Sequence, residues 1–356
     1  MNVAALLMVA GLALLLGGAE ALVRGAARLA SALGVSPLLV GLTIVAWGTS
    51  APELVVSTMA AWSGRVDIAV GNVVGSNVFN VLFILGAAAA VAPLAVSRQL
   101  VRIEVPLLVL TSLLVWWFAT NGHIGRSKGF LLLLLGVAYT ALAVRMGATA
   151  DQSEPVVVRT QPSRAYNVAL IVAGVGLLVV GARWFVHGAA EVARWLGVSE
   201  LVIGLTIVAG GTSAPEFATS VVAAFKKERD LSVGNVIGSN LFNLFFVLGA
   251  AASIAPQGVP VAPAALHFDF PVMVAVAVAC LPVFFTGQTI ARWEGWLFLG
   301  HGAAYWAYLL FASAEHDALP MFSNVMLVFV IPLTLVTLLV SVARQLRRAR
   351  RPQPSL

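Results

Sequence analysis

The sequence carries GLTIVAWGTSAPE at 41–53 and, after a variable spacer, GNVVGSNVFNVLFILG at 71–86. Both motifs return later in the chain, as GLTIVAGGTSAPE at 204–216 and GNVIGSNLFNLFFVLG at 234–249. Similar composition alone would not reproduce both motifs with a spacer of the same length between them. We therefore expect the functional site among the polar residues of this duplicated stretch.

The duplication keeps a constant register. The two glutamates, Glu53 and Glu216, are separated by 216 − 53 = 163 positions, and the last two asparagines by 243 − 80 = 163. Residues 33–57 and 196–220 are identical at 18 of 25 positions. Weaker matches continue beyond the motifs, so each copy is predicted to be a complete structural half.

The composition indicates an integral membrane protein. Of the 356 residues, 60% are hydrophobic and only 10% are charged, whereas soluble domains carry about 25% charged residues. Apolar runs long enough to span a bilayer, about 20 residues each, recur along the chain. The net charge of +6 does not indicate a nucleic-acid partner, because five of the 21 basic residues lie in Arg344–Arg351. The single cysteine, Cys280, excludes a disulfide within the chain.

The first residues superficially resemble a secretory leader with a small-residue cleavage site at Ala19-Glu20-Ala21. They lack a basic start, however, and residues 18–27 align with 181–190 of the second copy. We therefore predict that this segment belongs to the folded protein.

Hydropathy and turn residues predict about 11 transmembrane helices, five in each copy and one more after them. Their predicted bounds are 3–31, 37–62, 69–92, 101–120, 127–145, 167–195, 200–225, 232–254, 267–286, 292–313 and 321–343.

An odd number of spans in each copy predicts that the second copy is inserted upside down relative to the first, as in many secondary transporters. The predicted fold is therefore an all-α integral membrane protein with two inverted five-helix repeats and an extra C-terminal helix. We divide the chain into a first repeat (1–146), a cytoplasmic linker (147–166), a second repeat (167–314), and a last helix with a basic tail (315–356).

The basic residues predict the orientation, because cytoplasmic loops carry an excess of Lys and Arg. One side of the predicted membrane receives most of them. They are Arg98, Arg102, Arg159, Arg164, Lys226, Lys227, Arg229, Arg292 and the basic tail. We therefore expect a multi-pass protein of the cell (inner) membrane, with its N-terminus outside and its C-terminus in the cytoplasm.

The GTSAPE motif predicts a break within a membrane helix. Pro52 donates no backbone hydrogen bond, and its ring clashes with the carbonyl four residues earlier. We expect the carbonyls around Ala46–Gly48 to lose their helical partners, and Thr49 and Ser50 to share a face with Glu53. Carbonyl, hydroxyl and carboxylate oxygens are the ligands that hard cations prefer. The second copy repeats the motif through Gly211, Thr212, Ser213, Pro215 and Glu216.

The second motif predicts another polar helix face. Asn72, Ser76 and Asn80 follow one another at spacings of four residues, and Gly71 and Gly75 are predicted to let a neighbouring helix approach closely. The second copy supplies Gly234, Asn235, Gly238, Ser239 and Asn243. Packing the two copies about a pseudo-two-fold axis would bring Glu53 and Glu216 together near the middle of the membrane.

Either motif alone is also compatible with simple helix packing or a structural hydrogen bond. A carboxylate at the bilayer centre costs about 2.5–3.5 kcal/mol or more, however, so its duplication beside a proline break favours a shared cation site. Glu104 and Asp269 are interpreted as hydrogen-bonding groups near helix starts. His123, His301 and His316 show no ligand spacing and are given no role.

The two copies of GTSxPE followed by GNxxGSNxFN resemble the alpha repeats of the sodium/calcium exchanger family, within the cation/calcium exchanger superfamily. The resemblance covers roughly residues 1–313. It implies that the protein binds Ca²⁺ or several Na⁺ at overlapping central sites and exchanges them by alternating access. It implies these transported ions and membrane lipids as partners, and no cofactor.

The resemblance also implies roles for individual residues. Glu53 and Glu216 would serve both Ca²⁺ and Na⁺, and Thr49 and Thr212 would bind Ca²⁺ through their carbonyls. Pro52, Pro215, Gly48, Gly211, Gly75 and Gly238 are expected to break or pack the helices. The implied Na⁺ ligands are Ser50, Ser213, Ser76, Ser239 and the backbone oxygens of Ala46 and Ala209, with Asn80, and in the second copy Asn243, completing the site.

The chain departs from some relatives at Asn243, where potassium-dependent members carry Asp. The fixed charge of the site would then be −2, from Glu53 and Glu216 alone. One Ca²⁺ neutralises this charge, and three Na⁺ would leave +1. We therefore expect no K⁺ requirement. The extra C-terminal helix is a second departure, since the common core has ten helices.

The sequence thus predicts a Na⁺/Ca²⁺ antiporter that most simply exports Ca²⁺, and not an enzyme. The first alternative is a Ca²⁺/H⁺, or other divalent cation/H⁺, exchanger of the same superfamily, with the glutamates as proton carriers. An intramembrane enzyme using Glu53 and Glu216 as an acid/base pair is a third possibility, which the paired repeats disfavour.

Overall fold

The computed structural model describes residues 2–148, 163–198, 200–203, 206–207 and 210–349. The regular secondary structure of the described chain is helical apart from four two-residue strands. Its helices are α1 (Asn2–Leu33), α2 (Pro37–Thr49), α3 (Ala51–Trp62), α4 (66–91), α5 (Leu100–Ala119), α6 (Arg126–Ala148), α7 (Arg164–Trp195), α8 (Glu200–Ile203), α9 (Ala214–Phe225), α10 (Arg229–Ile254), α11 (Ala265–Phe285), α12 (Arg292–Ser313) and α13 (319–349). Its strands are β1 (Leu94–Ala95), β2 (His123–Ile124), β3 (Val259–Pro260) and β4 (Thr289–Ile290).

Within the described ranges, eight helices are long and apolar enough to cross a membrane, or nine when the bent pair α2–α3 counts as one span. The chain is therefore a multi-pass integral membrane protein. Two further predicted spans do not pass this test. The one at 200–225 is only partly described, and α12 is the other, so the number of about 11 remains a prediction. Part of the predicted linker and the end of the basic tail lie outside the described residues.

The first predicted break is present. The axes of α2 and α3 differ by 47°, and Ser50 between them has φ −84° and ψ 8°. Ser213, just before α9, has nearly the same backbone angles, φ −88° and ψ 9°. Pro52 and Pro215 each occupy the first turn of the following helix, where the missing N–H costs no hydrogen bond.

The helices also share short π-helical stretches, which the sequence analysis did not predict. Asn80–Leu85 in α4 has its counterpart in Asn243–Val247 of α10, and Leu100–Glu104 in α5 has its counterpart in Ala265–Asp269 of α11. A π turn shifts the register of the residues that follow it and often marks a functional site. Here one begins at each of the two asparagines predicted to bind a cation.

The longest helices, α1 and α7, pack along a seam of glycines. A Cβ on Gly18 would lie 2.8 Å from the carbonyl oxygen of Gly174, and one on Gly181 would lie 2.9 Å from that of Gly11. The two backbones are thus in direct contact, which larger residues would prevent.

Strand pairs join the two halves, and within each half a carboxylate joins two helices. β1 pairs with β4 and β2 with β3, both antiparallel. Glu104 accepts a hydrogen bond from Tyr139 (2.8 Å), and Asp269 accepts one from Tyr305 (2.9 Å). These contacts tie α5 to α6 and α11 to α12, in agreement with the hydrogen-bonding interpretation of both carboxylates.

Candidate cation-binding site

The site lies where the break between α2 and α3, the start of α9 and the middle of α4 and α10 meet. Nearly all of the polar side chains predicted for it are buried, each 4% exposed or less, and Thr212 is half-buried. The buried set is Thr49, Ser50, Glu53, Ser76, Asn80, Ser213, Glu216, Ser239 and Asn243.

Two crossed hydrogen bonds connect the repeats at this point. Ser50 donates to Oε1 of Glu216 at 2.7 Å, and Ser213 donates to Oε1 of Glu53 at 3.1 Å. Since 50 + 163 = 213 and 53 + 163 = 216, each bond is the symmetry equivalent of the other. Each carboxylate is thus held by a hydroxyl from the opposite repeat, so the two halves form one site.

The remaining oxygens of the site are without hydrogen bonds among the described residues. They are Oε2 of Glu53, Oε2 of Glu216, Oδ1 of Asn80, Oδ1 of Asn243 and Oγ of Ser239. A buried oxygen without a partner is costly, and native proteins leave few of them. Hard cations such as Ca²⁺ bind six to eight oxygens of this kind. The donor set therefore fits a hard cation as substrate.

A second crossed pair frames the carboxylates. Thr49 donates to Oδ1 of Asn235, and Thr212 donates to Oδ1 of Asn72, both at 3.2 Å. The sequence analysis expected the Thr49 hydroxyl to lie on the same face as Glu53. The structure instead shows both threonine hydroxyls bonded across the repeats. The implied binding of Ca²⁺ by the two threonine carbonyls stays a prediction.

The asparagines of this pair are themselves held by serines that the sequence analysis missed. The amide of Asn72 donates to Ser57, and that of Asn235 donates to Ser220, both at 2.9 Å. Both serines lie four residues after a motif glutamate and within the 25 aligned positions. That spacing, one helical turn, was the signal that could have identified them.

One expectation about the break is wrong. The carbonyl of Ala46 accepts hydrogen bonds from the Ser50 N–H (3.0 Å) and the Thr49 hydroxyl (3.3 Å), so it has not lost its partners. Pro52 removes only the N–H that would reach the carbonyl four residues earlier, that of Gly48. A Na⁺ bound at Ala46 would have to share that oxygen. Its predicted counterpart, Ala209, lies outside the described residues.

The asparagine clusters differ between the repeats. Asn80 donates to Oδ1 of Asn240 (2.9 Å), and Asn240 donates to the carbonyl of Asn77 (3.2 Å). Asn243, the equivalent of Asn80, has no hydrogen bond at either side-chain atom in the part of the chain that the structure describes. Asn77 and Asn240 were not predicted, although the duplicated letters GSN contain both.

The close-packing prediction for the glycines agrees with the structure at two positions and is untested at another. A Cβ on Gly48 would lie 2.8 Å from Val175, and one on Gly238 would lie 2.7 Å from Leu42, as the close-packing prediction requires. For Gly75 the equivalent neighbours are residues 205 and 209, which lie outside the described residues, so its role stays a prediction. The carbonyl of Gly211 accepts a hydrogen bond from the Ala214 N–H at 3.3 Å.

The electrostatics of the site are simple. Glu53 and Glu216 are its only carboxylates, and no cluster of three or more His, Cys, Asp or Glu side chains that could hold a metal occurs in the described ranges. The other predicted site side chains are neutral, so these two carboxylates alone would balance the charge of a bound cation.

Comparisons with known proteins agree with this geometry. The profile of a family described as "Sodium/calcium exchanger protein" matches residues 3–145 and 166–314. The putative antiporter CaxA of Alkalimonas amylolytica is 41% identical over 88% of this chain and all of its own. The inner membrane protein YrbG of Escherichia coli is 37% identical over 78% of this chain and 87% of its own.

Two archaeal exchangers are also similar. The sodium/calcium exchanger MaX1 of Methanosarcina acetivorans is 31% identical over 82% of this chain and 93% of its own. The solved structure of the sodium/calcium exchanger from Methanococcus jannaschii superposes with a TM-score of 0.73 at 29% identity, covering 84% of this chain and 96% of that one. The similarity therefore spans both repeats and the site between them.

Proposed function

We propose, because the chain belongs to the sodium/calcium exchanger family, that it is a secondary active antiporter exchanging Na⁺ for Ca²⁺ across the membrane, most simply exporting Ca²⁺. Membership makes it a cation/calcium antiporter of the exchanger type. The coupling to Na⁺ and the direction of transport are the proposal.

One observation carries the proposal, namely the crossed pairs Ser50–Glu216 and Ser213–Glu53. They bring two carboxylates from distant parts of the chain to one buried place. Each carboxylate keeps one oxygen that has no hydrogen bond to any described residue. Burying such oxygens is unfavourable unless a cation is bound there part of the time. Oxygen ligands without thiolates or imidazoles favour Ca²⁺ and Na⁺ over softer metals.

The proposed ligands follow from this arrangement. Glu53 and Glu216 bind both ions, and the remaining oxygens complete the coordination as each ion requires. The other proposed ligands are the carbonyls of Thr49 and Thr212, the side chains of Ser50, Ser213, Ser76, Ser239, Asn80 and Asn243, and the backbone oxygens of Ala46 and Ala209.

The charge of the site accounts for exchange of the two ions. The two carboxylates contribute −2, which one Ca²⁺ neutralises. Several Na⁺ neutralise or exceed this charge at the same oxygens, so the two ions compete. Because Asn243 is uncharged, the site lacks a third carboxylate, and we expect no K⁺ requirement.

Inverted repeats give this site access to both sides of the membrane. After the motifs the offset between the copies is 165, as in Glu104 and Asp269 or Pro106 and Pro271. β1 and β3 are therefore equivalent, since 94 + 165 = 259, yet β1 pairs with β4. Five predicted spans lie between β1 and β3, and six between β1 and β4. Only an even number returns the chain to the same side, so the pairing supports inversion. With the basic loops in the cytoplasm, the N-terminus lies outside the inner membrane.

Alternating access in this proposal uses α1 and α7, the first helix of each repeat. They contact each other through the glycine seam and pack beside the site, where Val175 of α7 lies against Gly48. Occupancy of the site permits this pair to slide past the other helices, which exposes the ions to one side and then the other.

The test is uptake of ⁴⁵Ca²⁺ by proteoliposomes loaded with Na⁺, compared with vesicles loaded with K⁺ or choline. The proposal predicts uptake only with internal Na⁺, and its loss in Glu53→Gln and Glu216→Gln. Uptake that ignores Na⁺ and follows a pH gradient would contradict Na⁺ coupling and assign the protein to the H⁺-coupled branch. Absence of uptake under both gradients would remove the Ca²⁺ assignment.

A further inference from the structure

A cavity of about 400 Å³ opens at one end of the molecule, where the end of α13 meets α5 and the turn between α11 and α12. A neighbouring cavity of about 270 Å³ shares Gly287 and Gln345 with it, so the two form one crevice. No residue that lines the crevice belongs to either copy of the motif, and the proposed transport site does not use it. Its lining includes Arg98, Val101, Arg102, Phe285, Arg344 and Leu346.

Three arginines from two separate elements converge on this crevice. Arg102 lies in the first turn of α5, Arg98 lies one helical turn before it, and Arg344 comes from α13. All three are exposed, and within the described chain none of them forms an ion pair or hydrogen bond. The arginines therefore present uncompensated positive charge to the crevice.

The carboxylates near the crevice are already occupied. Glu294 lines the smaller cavity but is 3% exposed, and it accepts hydrogen bonds from the Ala291 N–H (2.7 Å) and Thr286 (3.4 Å). Glu104, two residues after Arg102, is fully buried against Gln99 and Tyr139. Among the described residues that line or adjoin the crevice, no carboxylate is thus left to pair with the three arginines.

The rest of the lining is apolar and indicates the depth of the crevice in the membrane. Phe285 is 40% exposed and Leu346 is 47% exposed. Trp293, which lines the smaller cavity, and Trp296 stand exposed in the first turns of α12. Exposed tryptophans are typical of the boundary between headgroups and acyl chains, so arginines and apolar side chains meet here at headgroup level.

We propose that this crevice binds the phosphate of an anionic phospholipid headgroup, with its acyl chains lying along Phe285 and α13. Guanidinium groups bind phosphate oxygens in a planar, two-point geometry, and basic pockets between helices on the cytoplasmic side bind such headgroups. The arginines that orient a membrane protein need only lie on one side of it. Orientation alone does not require arginines from two chain segments to line the same crevice, as they do here.

The bound lipid joins α13 to the two repeats. The most apolar window of α13 is only 6% buried in the protein, compared with 83% for α10. A phosphate held by Arg344 on one side and by Arg98 and Arg102 on the other bridges this loosely packed helix to α5. The structure thus gives the extra helix a role in lipid-dependent stability.

The experiment measures thermal unfolding of the purified full-length protein in zwitterionic detergent. Dihexanoyl-phosphatidylglycerol, dihexanoyl-phosphatidylcholine and sodium phosphate are titrated separately. We expect phosphatidylglycerol alone to raise the Tm with saturation. In Arg98→Gln/Arg102→Gln the half-saturating concentration should rise at least tenfold. The matched control, Lys227→Gln/Arg229→Gln, removes the same charge at exposed positions on the same predicted side and should respond like the wild type.

Equal responses of the two double variants would overturn the proposal, because only general surface charge would then be involved. Saturation by sodium phosphate at the same concentration would overturn the lipid assignment. If the arginine variant does not fold, native mass spectrometry of the wild-type protein tests which phospholipid the protein retains. Retention of phosphatidylglycerol in preference to phosphatidylcholine supports the proposal, and equal retention contradicts it.

Discussion

The breaks in the two repeats have nearly the same sequence but different surroundings. The 13-residue motifs at 41–53 and 204–216 differ at one position, where Trp47 in the first corresponds to Gly210 in the second, since 47 + 163 = 210. The ring of Trp47 lies 5.1 Å from that of Phe246 and 5.5 Å from that of Phe242. A Cβ on Gly210 would lie 3.5 Å from the ring of Phe79.

The corresponding aromatic pair in the first repeat is covered by a different helix. Trp306 of α12 lies 4.4 Å from Phe83 and 5.7 Å from Phe79, between ring centroids. An indole therefore packs on both phenylalanine pairs, but it comes from α2 in one case and from α12 in the other. The proposed oxygen ligands are the same residue types in both repeats, while the packing around them is not.

This difference shows which features the function constrains. Oxygens that bind a cation must be of the right type and in the right place in both halves, so few substitutions are acceptable. Apolar contacts can be made by any side chain of suitable volume that reaches the space. The predictions below test whether the two halves are equivalent at the site and different outside it.

The largest effect is expected at the carboxylates. Glu53→Gln and Glu216→Gln should each lower Na⁺-dependent ⁴⁵Ca²⁺ exchange by about a hundredfold or more, because losing one partner of a buried charge interaction costs about 3–5 kcal/mol. The two losses should agree within about threefold. A variant that keeps near-normal exchange would show that its carboxylate is not a ligand and would break the equivalence.

The crossed serines should have a smaller effect. Ser50→Ala and Ser213→Ala each remove a hydrogen bond to a carboxylate, which contributes about 1.5–3 kcal/mol. Apparent Ca²⁺ affinity should fall about tenfold or more in both, measured as the half-saturating concentration for uptake. Ser50→Ala should be the more severe, because Ser213 divides its contact between Glu53 and Ser76 while Ser50 bonds Glu216 at 2.7 Å. Ser63→Ala, at an exposed turn, is the matched control and should leave the affinity unchanged.

The aromatic contacts should affect stability and not ion selectivity. Trp47→Ala loses two ring contacts, worth about 1–3 kcal/mol together, and should lower the Tm without changing the ratio of Na⁺ to Ca²⁺ affinity. Trp306→Ala should do the same. Gly210→Trp should also be destabilising, because Trp306 already occupies the face of Phe79. A change in ion selectivity on Trp47→Ala would show that packing and ligand geometry are not separate.

The smallest effect distinguishes the two equivalent asparagines. Asn80→Ala removes the hydrogen bond to Asn240 and should cost about 1 kcal/mol of stability without ions. Asn243→Ala should be nearly neutral under the same conditions, because no hydrogen bond is lost in the described structure. Thermal unfolding in ion-free buffer measures both. Equal losses of stability would contradict the asymmetry, whereas both variants should weaken Ca²⁺ uptake if both side chains are ligands.

Much of the framework could be predicted from the sequence. Hydropathy and turn residues placed most helices within a few residues of their observed bounds, for example 101–120 predicted and Leu100–Ala119 observed. The duplication indicated which residues of the two halves are equivalent. It also identified Glu53, Glu216 and the serines that meet them, since duplicated polar residues in an apolar chain are expensive to keep buried. The hydrogen-bonding interpretation of Glu104 and Asp269, which rested on their positions near helix starts, agrees with their bonds to two tyrosines.

The atomic connections could not be predicted. A repeat indicates which residues are equivalent, but not that Ser50 would contact Glu216 instead of Glu53 in its own helix. The expectation for Ala46 was wrong because a proline removes one particular hydrogen bond and not those around it. The replacement of an indole on α2 by Trp306 of α12 depends on three-dimensional packing, which carries no periodic signal in sequence.

The most direct test of a single shared site is equilibrium binding of ⁴⁵Ca²⁺ to the purified protein, with Na⁺ as competitor. Wild-type protein should bind one Ca²⁺ per chain, and Na⁺ should displace it. Glu53→Gln and Glu216→Gln should each abolish this binding, because both carboxylates serve the same ion. Two Ca²⁺ per chain, with each variant retaining one, would show two independent sites and would contradict the account.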